Sequence, residues 1–272
     1  MYSAGRYRWV RRGLLSGLAG ALVCLAVAAP VWAFASRRTH VTIVPAPVGF
    51  PNETFGSSTA TCPSGQHVLF GGFNNGFSMR RTANNRWTAY GTNSSPTPYG
   101  GTPISLSSYV YCGYGPIPSK ATSTVEIRRN SSGSATARCP AGTVVVAGGF
   151  ATTPHTFIYV TDLERVASDL WRVSGSGGGA TSLTAIAYCG PGPAPKLVSQ
   201  TVTTFHHAGY LGLAHATCPA GTHLVFGGAV LKRTGDEFLQ TLRVPLNTKN
   251  TWAVTGYGGM GRGKLTALAY CR

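Results

Sequence analysis

The chain has 272 residues, with 23 Lys and Arg against 7 Asp and Glu, and only 11 % of its residues are charged, well under the roughly 25 % of ordinary domains. So few acids leave little material for paired-carboxylate chemistry, and a formal charge of +16 directs the chain toward polyanions such as wall polymers, acidic glycans, anionic lipid heads or extracellular DNA. Nucleic acid is the weakest of these, because no binding motif accompanies the charge.

Arg6, Arg8, Arg11 and Arg12 precede an uncharged stretch, 13–35, that ends in Ala33-Phe34-Ala35. This is the pattern of a secretory signal peptide with an A-x-A cleavage site. Residues 1–35 are therefore read as a signal peptide, and Arg11-Arg12-Gly13-Leu14-Leu15 also looks like a twin-arginine export signal. The alternative is a retained anchor: 13–35 is long enough for the roughly 20 residues of a membrane span, and it would be the only route to a membrane. Pro30 and the Ala/Gly content favour cleavage. Val23 stands before Cys24 where a lipoprotein signal needs a small residue, which argues against lipid anchoring.

After residue 35 one unit is written three times. It reads Cys62-Pro63-Ser64-Gly65, Gly71-Gly72, Trp87 and Tyr111-Cys112; then Cys139-Pro140-Ala141-Gly142, Gly148-Gly149, Trp171 and Tyr188-Cys189; then Cys218-Pro219-Ala220-Gly221, Gly227-Gly228, Trp252 and Tyr270-Cys271. Repetition at a fixed period specifies a repeat architecture. The repeats are placed at 36–115, 116–192 and 193–272, joined by stiff Gly/Pro linkers.

Helical periodicity is nearly absent, and short β-rich runs alternate with Gly, Pro, Asn and Ser. Unit one gives six expected strands, 41–48, 55–61, 67–73, 77–82, 86–91 and 106–112. Unit two gives 121–129, 133–138, 144–152, 157–163, 170–175 and 182–189. Unit three gives 196–205, 210–217, 223–231, 238–245, 251–256 and 264–271. The Cys-Pro-x-Gly segment is expected to turn, and the Gly pair to mark a bulge or tight bend. The last strand of each unit has two uncharged faces, so burial on both sides is expected. The fold class is all-β with pseudo-threefold repetition, either β-prism-like or three tandem disulfide-closed β-sandwich units.

Export places the chain in an oxidising compartment. Six cysteines allow 15 connectivities, and the repeat selects the one in which every unit closes the same way: Cys62–Cys112, Cys139–Cys189 and Cys218–Cys271. No Cys-x-x-Cys or Cys/His spacing suggests a metal, and no cofactor is expected.

The Cys-Pro-x-Gly turn, Gly72-Phe73 and Gly149-Phe150, and the closing Cys resemble the vitelline membrane outer layer protein family. That resemblance implies a three-repeat β-prism with lectin-like architecture, although the family's Asp-Asp and Asn before the closing strand are absent here. The whole unit, from Cys-Pro-Ala-Gly through Ala-Tyr-Cys, is similar to repeat proteins secreted by actinobacteria, which implies a compartment and no activity.

Chemistry-bearing residues are few. No acid recurs in all three units. Asp162 and Glu164 alternate on an expected strand and are the one pair a glycosidase could use; a solvated edge pair near Arg165 is the favoured reading. No G-x-S-x-G elbow exists, and the glycines at 256–261 precede a strand instead of a helix, so they carry no dinucleotide fingerprint. His67 and His223 share a position that Val144 fills in unit two, which suits packing or surface better than ligation. His206, His207 and His215 cluster without a nearby carboxylate, which disfavours a metal. Trp87, Trp171 and Trp252 could stack on sugars, but their recurrence favours a core role. Recognition is expected in loops where the units differ: Asn74, Asn75, Arg86, Tyr99, His155, Lys232 and Arg233. The expectation is a secreted, non-enzymatic protein that binds a glycan or an anionic cell-envelope polymer. The alternatives are a structural surface protein without a small ligand and, last, a glycan hydrolase.

Overall fold

The computed structural model describes residues 55–92, 106–154, 156, 158–205, 212–232, 238–245, 248–257 and 262–272. They form seventeen strands. In unit one these are β1 (Phe55–Thr61), β2 (His67–Asn74), β3 (Ser78–Ala83), β4 (Arg86–Thr92) and β5 (Ser107–Gly113). Unit two supplies β6 (Ser119–Ile127), β7 (Ser131–Arg138), β8 (Val144–Thr152), β9 (Ile158–Ala167), β10 (Leu170–Gly177) and β11 (Thr181–Gly190). Unit three supplies β12 (Lys196–Phe205), β13 (Gly212–Thr217), β14 (Leu224–Lys232), β15 (Phe238–Arg243), β16 (Thr251–Tyr257) and β17 (Arg262–Cys271). The strand expected at 41–48 lies outside the described residues.

The strands build three antiparallel sheets, and every sheet is shared between two units. Sheet I runs β1-β4-β3-β8-β11-β6, sheet II runs β12-β17-β14-β9-β10-β7, and sheet III runs β13-β16-β15-β2-β5. Each joins three strands of one unit to strands of the next: unit one to two, two to three, and three back to one. The seams are short, with Met79 opposite Phe150, Leu163 opposite Ala229, and Leu242 opposite Phe73. This cyclic exchange excludes three tandem sandwiches. A unit's own strands belong to two different sheets, so no unit closes a sandwich alone, and the β-prism-like alternative holds.

The three expected disulfides are present. Each links a cysteine that follows an edge strand of one sheet to a strand of another, so the bridges also tie the sheets together in a ring. The Cys-Pro-x-Gly segments turn as expected. Gly65, Gly142 and Gly221 have φ of 78°, 78° and 79°, and the following residue donates its N–H to the proline carbonyl at 3.1 Å in all three units.

The glycine pairs differ from expectation. The register shifts fall at Leu69, Val146 and Val225, two residues before each pair. The pairs lie within continuous strand and serve close approach. A Cβ on Gly71, Gly148 or Gly227 would sit 2.3, 2.1 or 2.0 Å from the ring of Trp87, Trp171 or Trp252. A Cβ on Gly72, Gly149 or Gly228 would sit 2.0, 2.8 or 2.2 Å from the carbonyl oxygen of Leu242, Met79 or Leu163 across a seam. One glycine of each pair admits the tryptophan, and the other admits the neighbouring unit.

All three tryptophans are fully buried. Trp171 and Trp252 donate their indole N–H to Gly149 and Gly228 at 3.1 and 3.0 Å. None of these three rings has a face open to a sugar. The closing strands are buried on both sides over β5 and the second half of β11, as their uncharged faces require.

Candidate functional site

The cyclic exchange writes the outward face of the prism three times. Beside each seam, the strand before it and its neighbour place residues opposite one another. Ser78 faces Tyr90 and Arg80 faces Thr88 in sheet I. Asp162 faces Ser174 and Glu164 faces Arg172 in sheet II. Thr241 faces Thr255 and Arg243 faces Ala253 in sheet III. The next strand adds Ser57, Ser134 and Leu213. Directly opposed residues share a face, so these are three versions of one surface.

Two versions form concavities. The sheet III concavity is about 490 Å³, and Asn74, Asn75, Leu213, Thr241, Arg243 and Thr255 are among its lining residues. The sheet I concavity is about 300 Å³ and includes Ser57, Phe77, Ser78, Arg80, Tyr90 and Thr152. Six lining positions correspond between the two: 57 and 213, 77 and 240, 78 and 241, 80 and 243, 90 and 255, 152 and 75.

Each concavity holds an arginine steadied by a tyrosine. The Arg80 guanidinium lies 5.1 Å from the centre of the Tyr90 ring. The Arg243 guanidinium lies 5.5 Å from the Tyr109 ring and donates from Nη1 to the Tyr109 hydroxyl at 3.2 Å. Such a contact orients the guanidinium without neutralising it. Apolar surface lies alongside: Phe55 packs edge-on to Phe77 at 5.8 Å in sheet I, and Leu213 and Pro245 line sheet III. Polar groups complete the wall. The Thr241 hydroxyl donates to Asn74 Oδ1 at 2.5 Å, and Ser78 Oγ donates to the Phe150 carbonyl at 3.1 Å. The Thr255 hydroxyl is buried with no hydrogen-bond partner among the described residues.

Sheet II is different. Glu164 stands where the other faces carry arginine, and it is ion-paired with Arg172. Asp162 is hydrogen-bonded to the Ser174 side chain and to the Leu231 backbone, and burial holds its carboxyl above the usual range. The acids expected at a solvated edge near Arg165 are thus on β9, an interior strand, and their cation is Arg172. The Arg165 guanidinium lies instead over Tyr270 and donates to the Pro195 carbonyl at 2.5 Å.

The structure brings Asn74 and Asn75 to the sheet III concavity. Asn75 adopts φ 59°, a left-handed conformation asparagine tolerates, and its N–H donates to the Gln240 carbonyl at 2.9 Å across the seam. Arg86 is exposed at the start of β4, and Lys232 is exposed at the end of β14 opposite Lys264; neither lines a concavity described above. Tyr99, His155 and Arg233 lie outside the described residues, as do His206 and His207. His215 lines the sheet III concavity, and no group of three metal-binding side chains occurs among the described residues. Sequence reasoning missed Arg80, Arg243, Tyr90 and Thr241. They sit on strands: the β3–β4 pairing within unit one brings Arg80 to Tyr90, and the seam between units three and one brings Arg243 to Tyr109.

No protein-family model matches the chain, and no curated protein matches it in sequence.

Proposed function

We propose that the protein is exported and acts as a non-enzymatic binder of a hydroxyl-rich polymer at the cell envelope, a glycan or an anionic wall polymer. The observation that carries this reading is the pair of matched concavities, each combining an arginine, side-chain hydroxyls or amides, and apolar surface. Sugars and polyols are recognised by that mixture, because it supplies donors for hydroxyls and flat apolar area for C–H faces. Export is supported by three disulfides, which persist in oxidising compartments, and by the leader read in residues 1–35. The basic charge adds attraction for an anionic polymer.

A structural surface role is the second reading. It is favoured by the paired hydroxyls of Thr124 with Thr184 and Thr201 with Thr266, both 2.8 Å apart, between the outermost strand and its neighbour in sheets I and II. Such uncharged rows suit lateral packing between copies.

The deciding experiment probes a panel of glycans and wall polymers with the exported protein. Binding lost on raising salt supports the anionic-polymer version, and salt-insensitive binding competed by free sugar supports the neutral glycan. Binding to no polymer, together with self-assembly, overturns the binding reading in favour of the structural one.

A further inference from the structure

We propose that the protein is bivalent: the concavities on sheets I and III are two copies of one subsite for an anion-bearing polyol, and the third copy, on sheet II, is closed by its own Asp162, Glu164 and Arg172. This rests on the binding reading above and names its ligand chemistry and valence.

The argument starts from charge. Among the described residues the ion pairs are Arg138 with Asp169 and Arg172 with Glu164. Among the described residues, Arg80 and Arg243 therefore face their concavities without an acid. Each is held against a tyrosine and spends one N–H on its hydroxyl, Arg80 on Tyr90 at 3.5 Å and Arg243 on Tyr109 at 3.2 Å. The remaining guanidinium donors suit a carboxylate or a phosphate, which a planar fork binds in bidentate fashion.

The neighbouring groups specify more than a bare anion. Ser57, Ser78 and Tyr90 surround Arg80. Asn74, Thr241 and the unpartnered Thr255 hydroxyl surround Arg243. Hydroxyls and amides beside the cation match a unit that carries hydroxyls next to its charge. A uronate of an acidic polysaccharide and a phosphate of a polyol-phosphate polymer share that chemistry.

Sheet II shows the same arrangement already satisfied from within. Glu164 replaces the arginine, Arg172 replaces Thr88 or Ala253, and the two are paired. Asp162 replaces Ser78 or Thr241 and takes the Ser174 hydroxyl and the Leu231 backbone. A carboxylate from the chain stands before a guanidinium, beside a hydroxyl. Two open subsites on separate sheets of one molecule allow it to bridge polymer strands and to bind with an avidity above that of either subsite.

The test is calorimetric titration of the exported protein with tetragalacturonate and, separately, with a tetramer of glycerol phosphate; maltotetraose is the neutral control. The charged arm that binds should give two ligands per chain. Arg80→Ala and Arg243→Ala should each leave one, and the double variant none, with the near-ultraviolet signal of the buried tryptophans unchanged. Long polymer of the same chemistry should precipitate with the unaltered protein and stay soluble with either single variant. The triple variant Asp162→Ser, Glu164→Arg, Arg172→Thr installs the residues of sheet I and should raise the count to three.

One ligand per chain, or two that ignore both arginine variants, overturns the bivalent assignment and leaves the binding reading standing. Equal binding of maltotetraose overturns the anionic chemistry alone. A triple variant that stays at two overturns the closed third subsite. Binding in neither arm and to nothing on the polymer panel overturns both readings together.

Discussion

Arg165 donates its backbone N–H to the Tyr270 hydroxyl at 2.8 Å, and its own guanidinium lies 4.7 Å from the centre of the same ring. The tyrosine belongs to unit three and the arginine to unit two, so this pair locks a seam. Arg81 and Tyr188 repeat it at 2.7 and 4.8 Å. At the third seam Val244 donates to Tyr111 at 2.7 Å, and the arginine is absent. Burial pushes the Tyr188 and Tyr270 phenols up to about 12 and Tyr111 further still, so all three stay neutral at ordinary pH.

Removing one of these hydroxyls leaves a backbone N–H without its acceptor. Tyr270→Phe is expected to cost about 1–3 kcal/mol, the usual penalty of an orphaned buried donor. Denaturant unfolding checks this, and Tyr188→Phe and Tyr111→Phe should fall in the same range. A neutral result at all three would mean that the seams do not depend on this bond.

The glycine pairs separate two kinds of constraint. Gly72→Ala drives a methyl to 2.0 Å from the Leu242 carbonyl oxygen, a backbone atom that cannot rotate away. Overpacking costs about 1–3 kcal/mol and occasionally more, and a contact this short with backbone belongs at the upper end. Gly142→Ala meets nothing within 4 Å and suffers only its φ of 78°, which costs about 1–2 kcal/mol. Comparing the two unfolding midpoints tests whether the seam is as tight as the geometry requires.

His67 titrates against the fold. Burial, and then the charge of Arg81, hold its pKa below the ordinary value of 6.5. Its contribution to stability is therefore complete above pH 6.5 and declines as pH falls from 6.5 through the folded value. Unit two carries Val144 at this position, so His67→Val should fold and should lose the decline across that window. Unfolding midpoints between pH 7.5 and 5 measure it, and parallel curves for the two proteins would remove His67 as the cause.

Asp162 has the opposite sign. Burial raises its pKa above 3.8, so the folded state holds the proton more tightly than the unfolded state. Stability from this group is greatest below pH 3.8 and is lost as pH rises through the folded value. Asp162→Asn keeps an acceptor for Ser174 and Leu231 and removes the buried charge. It should raise the unfolding midpoint at pH 7, with the gain shrinking as pH falls toward 3.8. A lower midpoint at pH 7 would show that the carboxylate's hydrogen bonds outweigh its desolvation.

Much of the scaffold is legible in the sequence, because its constraints are local or repeat at fixed spacing. Gly65, Gly142 and Gly221 follow Cys-Pro in every unit, and the turn they need is written in four residues. Cys62 and Cys112 pair as expected because three units must close alike. The tryptophans read as core because a residue that recurs in every unit belongs to what the units share. The glycine pairs were harder. Their neighbours, Trp87 or the Leu242 carbonyl for unit one, come from distant strands, and a bulge was the nearest local explanation. The site was harder still. Asn74 and Asn75 stand out as a loop signal and do reach a concavity. Arg80 and Arg243 are single charges on ordinary strands, and nothing in their flanking residues marks them.

The sequence by itself determined the repeat, the all-β class, the turns and the disulfide partners, since each depends on residues within one unit. Only the tertiary structure decided that units exchange strands in a ring, and that decision created the outward faces. Strand pairing between units is set by which backbones can approach, here at Gly72, Gly149 and Gly228, and no single unit contains both partners. The β9–β10 register then placed Glu164, opposite Arg172, where the other faces hold Arg80 and Arg243, so one surface of the prism is neutralised while two keep their charge.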